Sequence, residues 1–402
     1  MTNFRAAQTI LTEHVEQIET ERLPLSLCGG RILAENIIAR ENVPPFDHSA
    51  YDGYAFRADD SVSASPESKV LLRILEEIPA GAVPTRPVSA GTAVKILTGA
   101  PIPAGADAVC KYEDTEFNEK TVKLRQKYRP GSNIVFAGKN IRAGQILAHS
   151  GDRIDSRTAG MLASQGILHP LVFRRPRVGI LSTGSEVQEP DQPLIQGKIR
   201  NSNRYVFETV LKKFGFETEY LGLAGDITSD IAALIRMGLK TCDAVISTGG
   251  VSAGDYDLTP EAMEMADVEL LFRGVSIKPG MACAYGVSKG KPVCGLSGNT
   301  ASAIINFYAV ALPVLRKLAG CREPGYREFP VSLCEEFRGK STMTRLLQGK
   351  LDLSDGTARM HLSDRQGNPT LNDGIGREMI AVVPAGSGPV EPGTILKGFM
   401  LI

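Results

Sequence analysis

The pattern of apolar and polar residues changes along the chain and predicts different elements in different segments. Apolar residues recur at helical spacing from Phe4 to Ile18, which predicts an amphipathic helix capped by Thr2 or Asn3. Between residues 51 and 127, Gly, Pro and Asp separate short apolar runs at 70–75, 93–97 and 108–112. These runs predict a β-rich module. A short helix is expected at about 156–165.

From residue 177 the pattern becomes one of strands alternating with longer helices. It predicts strands at 177–182, 217–223, 243–247, 268–272 and 292–296, with helices at 202–213, 228–239 and 300–318. This alternation is typical of a parallel, doubly wound sheet. After Pro324 short strands return, including 379–383 and 394–401. The expected fold class is multidomain α/β, with a central doubly wound α/β domain flanked by β-rich domains.

Length, charge and cysteine spacing argue against several classes of function. A chain of 402 residues exceeds the size of one hydrophobic core. Its 45 Lys+Arg balance 45 Asp+Glu, so no basic field favours nucleic acid. The N-terminus does not resemble a signal peptide, and the most apolar run, 304–315, is too short to span a bilayer. The 7 cysteines and 5 histidines show no zinc-type spacing. We therefore expect a cytoplasmic protein with reduced thiols and no membrane or nucleic-acid partner.

Three glycine-rich segments follow predicted strands, where parallel sheets bind ligands. They span 183–186, 247–257 and 296–302, and fit neither a dinucleotide fingerprint nor a P-loop. Glycines let backbone N–H groups approach an anion, and a helix starting after Asn299 adds partial positive charge. Tight turns alone would explain one such loop, but three at one sheet edge indicate a phosphorylated small molecule. The candidate binding residues are Thr183, Gly184, Gly249, Gly250, Ser252, Gly298, Asn299 and Ser302.

Charged residues accompany these loops. The acidic ones are Glu186, Asp226, Asp255 and Asp257. Beside a phosphate they would require a counterion, and Mg²⁺ accepts one or two carboxylates together with phosphate oxygens. The alternative for each is a solvated loop charge or a helix cap, and Asp226 before Thr228 is the best candidate cap. Lys278 follows an apolar strand and either offers a point charge to an oxyanion or is a surface lysine at a turn.

Two further polar loops lie in the N-terminal half, at 44–56 and 97–107, with Glu113 after the second. Loops of this kind commonly carry function. His48 is interpreted as a turn or hydrogen-bonded residue rather than a catalyst. These loops would reach the α/β site only by folding over it or across a subunit interface.

In order along the chain, these segments resemble the molybdopterin molybdenumtransferase family, which includes MoeA-type proteins and the gephyrin E domain. Residues 44–56 resemble the family's PPFDxSAxDGYA segment, and 97–113 its FTGAPxPxGADxVVxxE segment. Residues 180–186 with 201–203 resemble STGDEL…SN, and 248–257 resemble GGVSxGxxD. Residues 277–280 are similar to the MKPGK loop, and 296–302 to GLPGNPxS.

The resemblance implies a subunit of four parts. A helix-and-strand linker and dimerisation domain comprises 1–45 and 130–172, with an inserted β-rich domain at 46–129. An α/β molybdopterin-binding domain follows at 173–323, and a β-barrel-like domain at 324–402. It also implies a homodimer, with the site between the α/β domain of one subunit and the PPFD-bearing domain of the other. Molybdopterin adenylyltransferase and proteins of molybdoenzyme maturation are the further partners implied.

The resemblance further implies insertion of molybdate into adenylylated molybdopterin, with Mg²⁺ and release of AMP. Matching functional positions are Asp52, Thr98, Glu186, Asp226, Asp257 and Lys278, with Glu186, Asp226 and Asp257 as metal ligands. Gly249, Gly250 and Ser252 match positions that hold the nucleotide or its phosphates, and Arg345 is a candidate in the C-terminal domain.

Some positions depart from the family pattern. Met281 stands for the second lysine of K-P-G-K, and Ser297 and Thr300 replace two prolines. Arg345 is the arginine that remains in 340–349, and the serine-bearing loop is replaced by 366–373, which contains Asn368. Losing one charge-assisted contact costs about 1.5–3 kcal/mol, and Lys139, Arg345 or Thr300 are candidates to compensate. The alternatives are a non-catalytic carrier, chaperone or scaffold that binds the cofactor, and an enzyme of another pterin or nucleotide phosphate.

Overall fold

The computed structural model describes residues 1–252, 257–340, 342–362 and 370–401. The chain divides into two compact units. The smaller comprises Asn36–His149 and Gly160–Leu168. The larger comprises Met1–Glu35, Ser150–Ala159 and His169–Ile402. The four-part domain division stays a prediction.

The elements alternate as the sequence pattern indicates. The helices are α1 (Phe4–His14), α2 (Ser156–Ser164), α3 (Ser202–Lys213), α4 (Thr228–Thr241), α5 (Thr259–Met265), α6 (Thr300–Asn306) and α7 (Leu312–Leu318), with a π-helical turn at Phe307–Ala311. The strands of the N-terminal half are β1 (Thr20–Arg22), β2 (Ile37–Ile38), β3 (His48–Ser49), β4 (Gly53–Phe56), β5 (Val70–Ile78), β6 (Thr92–Ile96), β7 (Ala108–Lys111), β8 (Thr115–Phe117), β9 (Thr121–Leu124), β10 (Ile134–Val135), β11 (Ile146–Ala148) and β12 (Leu171–Phe173).

The remaining strands build the α/β sheet and the C-terminal sheet. They are β13 (Arg177–Thr183), β14 (Val187–Gln188), β15 (Ile199–Arg200), β16 (Glu217–Ala224), β17 (Ala244–Thr248), β18 (Glu269–Arg273), β19 (Ile277–Lys278), β20 (Cys283–Ser288), β21 (Lys291–Leu296), β22 (Phe329–Leu333), β23 (Thr344–Asp352), β24 (Arg359–Leu362), β25 (Met379–Val383) and β26 (Ile395–Met400).

The central sheet has the order β16-β13-β17-β21-β20-β18. β16, β13, β17 and β21 are parallel, which confirms the predicted doubly wound core. The expectation of a wholly parallel sheet is wrong at one edge, because β20 runs antiparallel to both β21 and β18. β20 and β21 form a hairpin whose connecting residues, Lys289 and Gly290, have φ of 50° and 74°. Positive φ at both turn residues is the geometry that joins two antiparallel strands tightly.

The helix from Thr300 to Leu318 runs through the core of the larger unit. It is long and apolar enough to cross a membrane by length and composition, but 78% of its apolar window is buried in the protein. Leu312, Val314 and Leu315 are fully buried and belong to one cluster with the apolar face of α1. This burial is typical of the core helix of a globular protein. Asn3 caps α1, and its side-chain oxygen accepts a hydrogen bond of 2.9 Å from the Arg5 N–H.

The C-terminal strands close on themselves. Pairing runs β23-β24-β22-β26-β25, and β25 pairs again with β23, so these strands form a closed barrel. The predicted β-barrel-like domain is thereby confirmed. β19 of the α/β segment pairs in parallel with β23 and joins this barrel to the central sheet.

The smaller unit contains a sheet of order β7-β4-β6-β5-β9-β8. Tyr54, Phe56 and Leu72 are fully buried in it, which agrees with the β-rich module expected between residues 51 and 127. β4 lies between β6 and β7 and runs antiparallel to both, so the loop before β4 and the loops after β6 and β7 lie at one end of the sheet.

Candidate functional site

The three glycine-rich loops meet at the carboxyl ends of β13, β17 and β21. A Cβ added to Gly249 would lie 2.5 Å from Thr183 Oγ1, and one added to Gly298 would lie 3.6 Å from the Gly249 Cα. The Gly249 N–H also donates to the Leu296 carbonyl at 2.9 Å. The structure thus brings the predicted loops together at one sheet edge. Their role in ligand binding stays a prediction.

The middle loop requires glycine at two consecutive positions. Gly249 and Gly250 have φ of 105° and 63°, in the region that L-residues with side chains disfavour. A Cβ on Gly250 would lie 2.8 Å from Thr259 Oγ1, and that hydroxyl donates to the Gly249 carbonyl at 2.9 Å. The start of α5 therefore holds the loop in a fixed, side-chain-free conformation. Ser252 is exposed just beyond it, and Asp255 lies outside the described residues.

The third loop leads into the N-terminus of α6. Asn299 is the N-cap, and its side chain accepts from the Ser302 N–H at 3.0 Å. Asn203, from α3, donates to the Gly298 carbonyl at 2.9 Å and fixes the loop from the other side. Asn203 Oδ1 and the neighbouring Thr248 Oγ1 are buried and find no hydrogen-bond partner within the described ranges. The loop edge therefore carries unused polar atoms, as a site for a polar ligand would.

Asp226 does not cap α4, so that interpretation is wrong. The helix begins after Ile227, and no side chain caps it. Asp226 instead accepts from the Ser185 N–H at 3.1 Å, and its own N–H donates to Ser185 Oγ at 3.1 Å. This reciprocal pair joins the loop after β16 to the loop after β13. Glu186 is exposed next to it, and its carboxylate lies over Gly184, where an added Cβ would be 2.4 Å from Oε2.

The predicted metal ligands are Glu186, Asp226 and Asp257. In the part of the chain that the structure describes, no group of three or more His, Cys, Asp or Glu side chains could hold a metal ion. Glu186, Asp226 and Asp257 therefore do not form a complete protein cage. Mg²⁺ commonly uses one or two carboxylates together with phosphate oxygens and water. A role for Glu186 and Asp226 in binding Mg²⁺ stays a prediction.

Lys278 lies between the third loop and the barrel. It ends β19, where it pairs in register with Arg345 of β23. The following Gly280 packs on α6, because Asn306 donates to its carbonyl at 2.6 Å and an added Cβ would lie 3.0 Å from the Ser302 carbonyl. The sequence alone did not determine which residue pairs with Arg345. In the structure Arg345 pairs with Lys278. Met281, two residues beyond Pro279, is 38% exposed.

Arg345 carries a positive charge that no described carboxylate balances. Its guanidinium carbon lies 5.1 Å from the centre of the Phe337 ring, and its Nε is buried without a hydrogen-bond partner among the described residues. Burial lowers the pKa of the Arg345 guanidinium, which nevertheless stays charged at neutral pH. With the exposed Lys278 alongside, this makes two cations available to an oxyanion. The loop 363–369, with Asn368, lies outside the described residues.

In the smaller unit, Asp52 and Thr98 form a pair. The Asp52 carboxylate accepts from both the backbone N–H and the hydroxyl of Thr98, each at 2.7 Å. These two hydrogen bonds lower the pKa of Asp52, so the exposed carboxylate is ionised throughout the neutral range. His48 lies in the short strand β3 and not in a turn, and its Nδ1 contacts the Phe46 carbonyl at 3.5 Å, so it is a hydrogen-bonded residue. The structure therefore unites two predicted residues that lie in separate sequence segments.

Residues that the sequence did not single out hold several of these parts in place. Ser185 bonds to Asp226, and Asn306 bridges Gly280 and Tyr285. Ser185 lies inside the glycine-rich segment 183–186, so the sequence indicated its loop although not its role. Asn306 is a polar residue in the middle of the most apolar helix, which is itself an indication of a specific buried contact.

Comparisons with known proteins agree with this geometry. Residues 2–166 match the family model of the MoeA N-terminal region (domain I and II), and residues 179–317 match that of the probable molybdopterin binding domain. A molybdopterin molybdenumtransferase of Staphylococcus epidermidis is 35% identical over 349 residues, covering 87% of this chain and 83% of that protein. One of Staphylococcus aureus is 34% identical over 328 residues, covering 81% of this chain and 78% of that protein.

A solved structure shows the same fold over the whole length. The molybdopterin biosynthesis MoeA protein from Pyrococcus horikoshii superposes with a TM-score of 0.86 at 28% identity, covering 100% of both chains. The sequence relatives and this likeness agree with the order of motifs and with the barrel that follows the α/β domain. The chain therefore belongs to the molybdopterin molybdenumtransferase family of MoeA-type proteins.

Proposed function

We propose that this protein is a transferase of molybdenum cofactor biosynthesis that inserts molybdate into adenylylated molybdopterin and releases AMP. The observation that carries the proposal is the pairing of Lys278 with the unbalanced Arg345 beside the glycine-rich loops. The relatives named above are molybdopterin molybdenumtransferases. We place the reaction in the cytoplasm.

The nucleotide and its pyrophosphate would occupy the glycine-rich edge. Gly249 and Gly250 hold the loop at the carboxyl end of β17 close against Thr183 and Thr259, and the pyrophosphate would lie beside this loop. The start of α6 adds the partial positive charge of a helix N-terminus. Thr183, Gly184, Ser252, Gly298 and Ser302 complete this edge in the proposal.

Glu186, Asp226 and Asp257 would hold Mg²⁺ together with phosphate oxygens of the substrate. A bound Mg²⁺ would screen the charge of the pyrophosphate. Because the protein supplies only part of the coordination sphere, magnesium affinity should depend on the nucleotide.

Lys278 and Arg345 would bind molybdate. Molybdate is a dianion, and its binding between Lys278 and Arg345 would give Arg345 the negative counter-charge that it lacks in the free protein. Holding molybdate beside the pterin substrate converts an encounter of two anions into a reaction within one complex. The two cations would stabilise negative charge that shifts as AMP leaves. The reaction as proposed needs no nucleophilic side chain.

Asp52 and Thr98 would contribute to the reaction in a homodimer. They lie in the other compact unit, and their hydrogen bonds hold the Asp52 carboxylate in one orientation. We propose that Asp52 of one subunit faces the α/β site of its partner. A molybdopterin adenylyltransferase as donor and a molybdoenzyme-maturation protein as acceptor are further proposed partners.

A non-catalytic carrier of the cofactor is the alternative. Loss of the family's second lysine at Met281 favours it, but both Lys278 and Arg345 remain at the oxyanion side. The deciding experiment measures AMP released from adenylylated molybdopterin with and without molybdate and Mg²⁺. A transferase releases AMP only when both are present. Tight binding of the substrate with no molybdate-dependent AMP would favour the carrier and refute the transferase.

A further inference from the structure

Two adjoining cavities lie at the opposite end of the central sheet, near the amino ends of β13 and β16. Their volumes are about 80 Å³ and 290 Å³, and both are lined by Ile32, Arg153, Arg316 and Cys321. The smaller also reaches Pro176 and Phe216, which precede β13 and β16. The cavities are therefore separate from the candidate site, which lies at the carboxyl ends of the strands.

The wall of the smaller cavity is strongly basic. Its charged residues are all arginines, namely Arg31, Arg153, Arg174, Arg175 and Arg316. Two of the five are neutralised, since Arg31 pairs with Glu21 and Arg174 pairs with Asp243 at 2.5 Å and with Glu19 at 2.7 Å.

Arg153, Arg175 and Arg316 have no ion pair with any carboxylate in the described ranges. In the larger cavity Arg322 pairs with Asp152 at 2.9 Å, and Glu323 is the other acidic residue of that wall. Positive charge therefore exceeds negative charge in both cavities.

Two of the unpaired arginines are held in position. The Arg316 guanidinium lies between two rings, 5.0 Å from the centre of Phe214 and 5.1 Å from that of Tyr326. Arg153 lies against Gly30, where an added Cβ would be 3.3 Å from its Nη2. The described residues give the Arg316 side chain no hydrogen bond, and a planar guanidinium that contacts two rings can still bind a phosphate through two of its N–H groups.

We propose that these cavities form a second anion site, which binds a small phosphate-bearing molecule through Arg153 and Arg316. Arg175, exposed at the rim of the smaller cavity, adds charge that attracts the ligand. The combined volume is near the lower end of small-molecule sites, so it favours a ligand of the size of a phosphate or pyrophosphate group.

Cys321 supplies a local probe, because it lines both cavities. Burial raises the pKa of Cys321 more than the nearby Arg316 and Arg153 lower it. The neutral reagent iodoacetamide should therefore modify it slowly, at a rate measurable by peptide mass spectrometry. Cys334, also partly exposed but in neither wall, serves as the internal reference in the same molecule.

The experiment measures this rate for the full chain at low salt, with and without millimolar inorganic pyrophosphate. We expect pyrophosphate to protect Cys321 and not Cys334. Protection should need about tenfold or more pyrophosphate in Arg153→Gln and in Arg316→Gln, because each loses a charge-assisted contact. Arg22→Gln is the matched control, since Arg22 is an exposed arginine that pairs with Glu35 and lines neither cavity. Arg316→Lys keeps the charge and should retain part of the protection.

A second measurement excludes binding at the candidate active site. Equilibrium dialysis with labelled pyrophosphate should still detect binding to Ser302→Asp, which puts a negative charge at the start of α6, and the bound amount should fall when Arg316→Gln is added. Absence of protection in the wild type, or loss of all binding in Ser302→Asp, would overturn the proposal. Equal protection by citrate would show that the site does not distinguish phosphates from carboxylates, which also contradicts the proposal.

Discussion

Replacing Arg345 by Met should separate stability from function. The wild-type side chain buries its Nε without a partner among the described residues and has no counter-charge there. A buried donor left unsatisfied costs about 1–3 kcal/mol. Met keeps an apolar stem of similar length and removes both the donor and the charge. The loss of the contact with Phe337 costs about 0.5–1 kcal/mol in return. Arg345→Met should therefore leave the free energy of unfolding unchanged or raise it by up to about 2 kcal/mol.

The effect on molybdate should have the opposite sign. If Arg345 donates charge-assisted hydrogen bonds to the oxyanion, its loss costs about 1.5–3 kcal/mol of binding. That corresponds to an apparent affinity for molybdate about 10-fold to 150-fold weaker. In the proposed function the substrate nucleotide binds at the glycine-rich loops, so its affinity should change little.

Urea unfolding and the molybdate dependence of AMP release test both halves on the same preparation. Lys350→Met is the matched control, because Lys350 is exposed on the same strand and should change neither quantity. A destabilised Arg345→Met protein with unchanged molybdate dependence would refute the reasoning, since it would assign Arg345 a purely structural role.

Three further substitutions test other parts of the account. Gly249→Ala should destabilise by about 2–5 kcal/mol in urea unfolding, because a Cβ would meet Thr183 at 2.5 Å on a backbone of positive φ. Asp52→Asn should leave the fold intact and lower the rate of AMP release by about tenfold or more. Because hydrogen bonds from Thr98 lower the pKa of Asp52, this group should cause no change of rate with pH above about 4. Asp243→Asn should cost about 2–3 kcal/mol at neutral pH, since the buried Asp243 carboxylate accepts from Arg174 at 2.5 and 2.6 Å.

The control variants and the direction of the pH effect on stability follow from the same contacts. Gly91 also has a positive φ, of 74°, but a Cβ added there would meet nothing within 4 Å. Gly91→Ala therefore measures the cost of backbone strain without the steric clash expected at Gly249. Burial alone would raise the pKa of Asp243, but the hydrogen bonds from Arg174 and Arg177 outweigh it and lower the pKa. The stability that Asp243 contributes is thus present above the ordinary Asp pKa of about 4 and is lost as the pH falls below it. A stability difference between wild type and Asp243→Asn that grows in acid would contradict this assignment.

Much of the fold could be predicted because its helices and strands have clear periodicity. The start of α1, the run from β13 to α4, and the long apolar helix all lie close to where the pattern placed them. The missed elements include α5 and β20, of seven and six residues. α5 begins with Thr259 and Pro260 directly after a loop, and β20 is apolar without alternation, so neither has a periodic signal of its own.

The candidate site was predictable in its loops and less so in its contacts. Glycine spacing identified the edge where Gly249 and Gly298 approach each other. The bond between Asp226 and Ser185 was not predictable, because it depends on how β13 and β16 are aligned in the sheet. The register of Arg345 beside Lys278 likewise depends on a parallel pairing between distant segments. Sequence motifs thus selected the residue types, while tertiary pairing set which of them meet.

The most direct test of the central claim is the ratio of molybdenum incorporated to AMP released in a single turnover. The wild-type protein, supplied with adenylylated molybdopterin, Mg²⁺ and molybdate, should give one molybdenum atom per AMP. Lys278→Ala should lower both quantities together, because the oxyanion and the departing nucleotide belong to one reaction. AMP release that continues without molybdenum incorporation would contradict the account and indicate a hydrolase or a cofactor carrier.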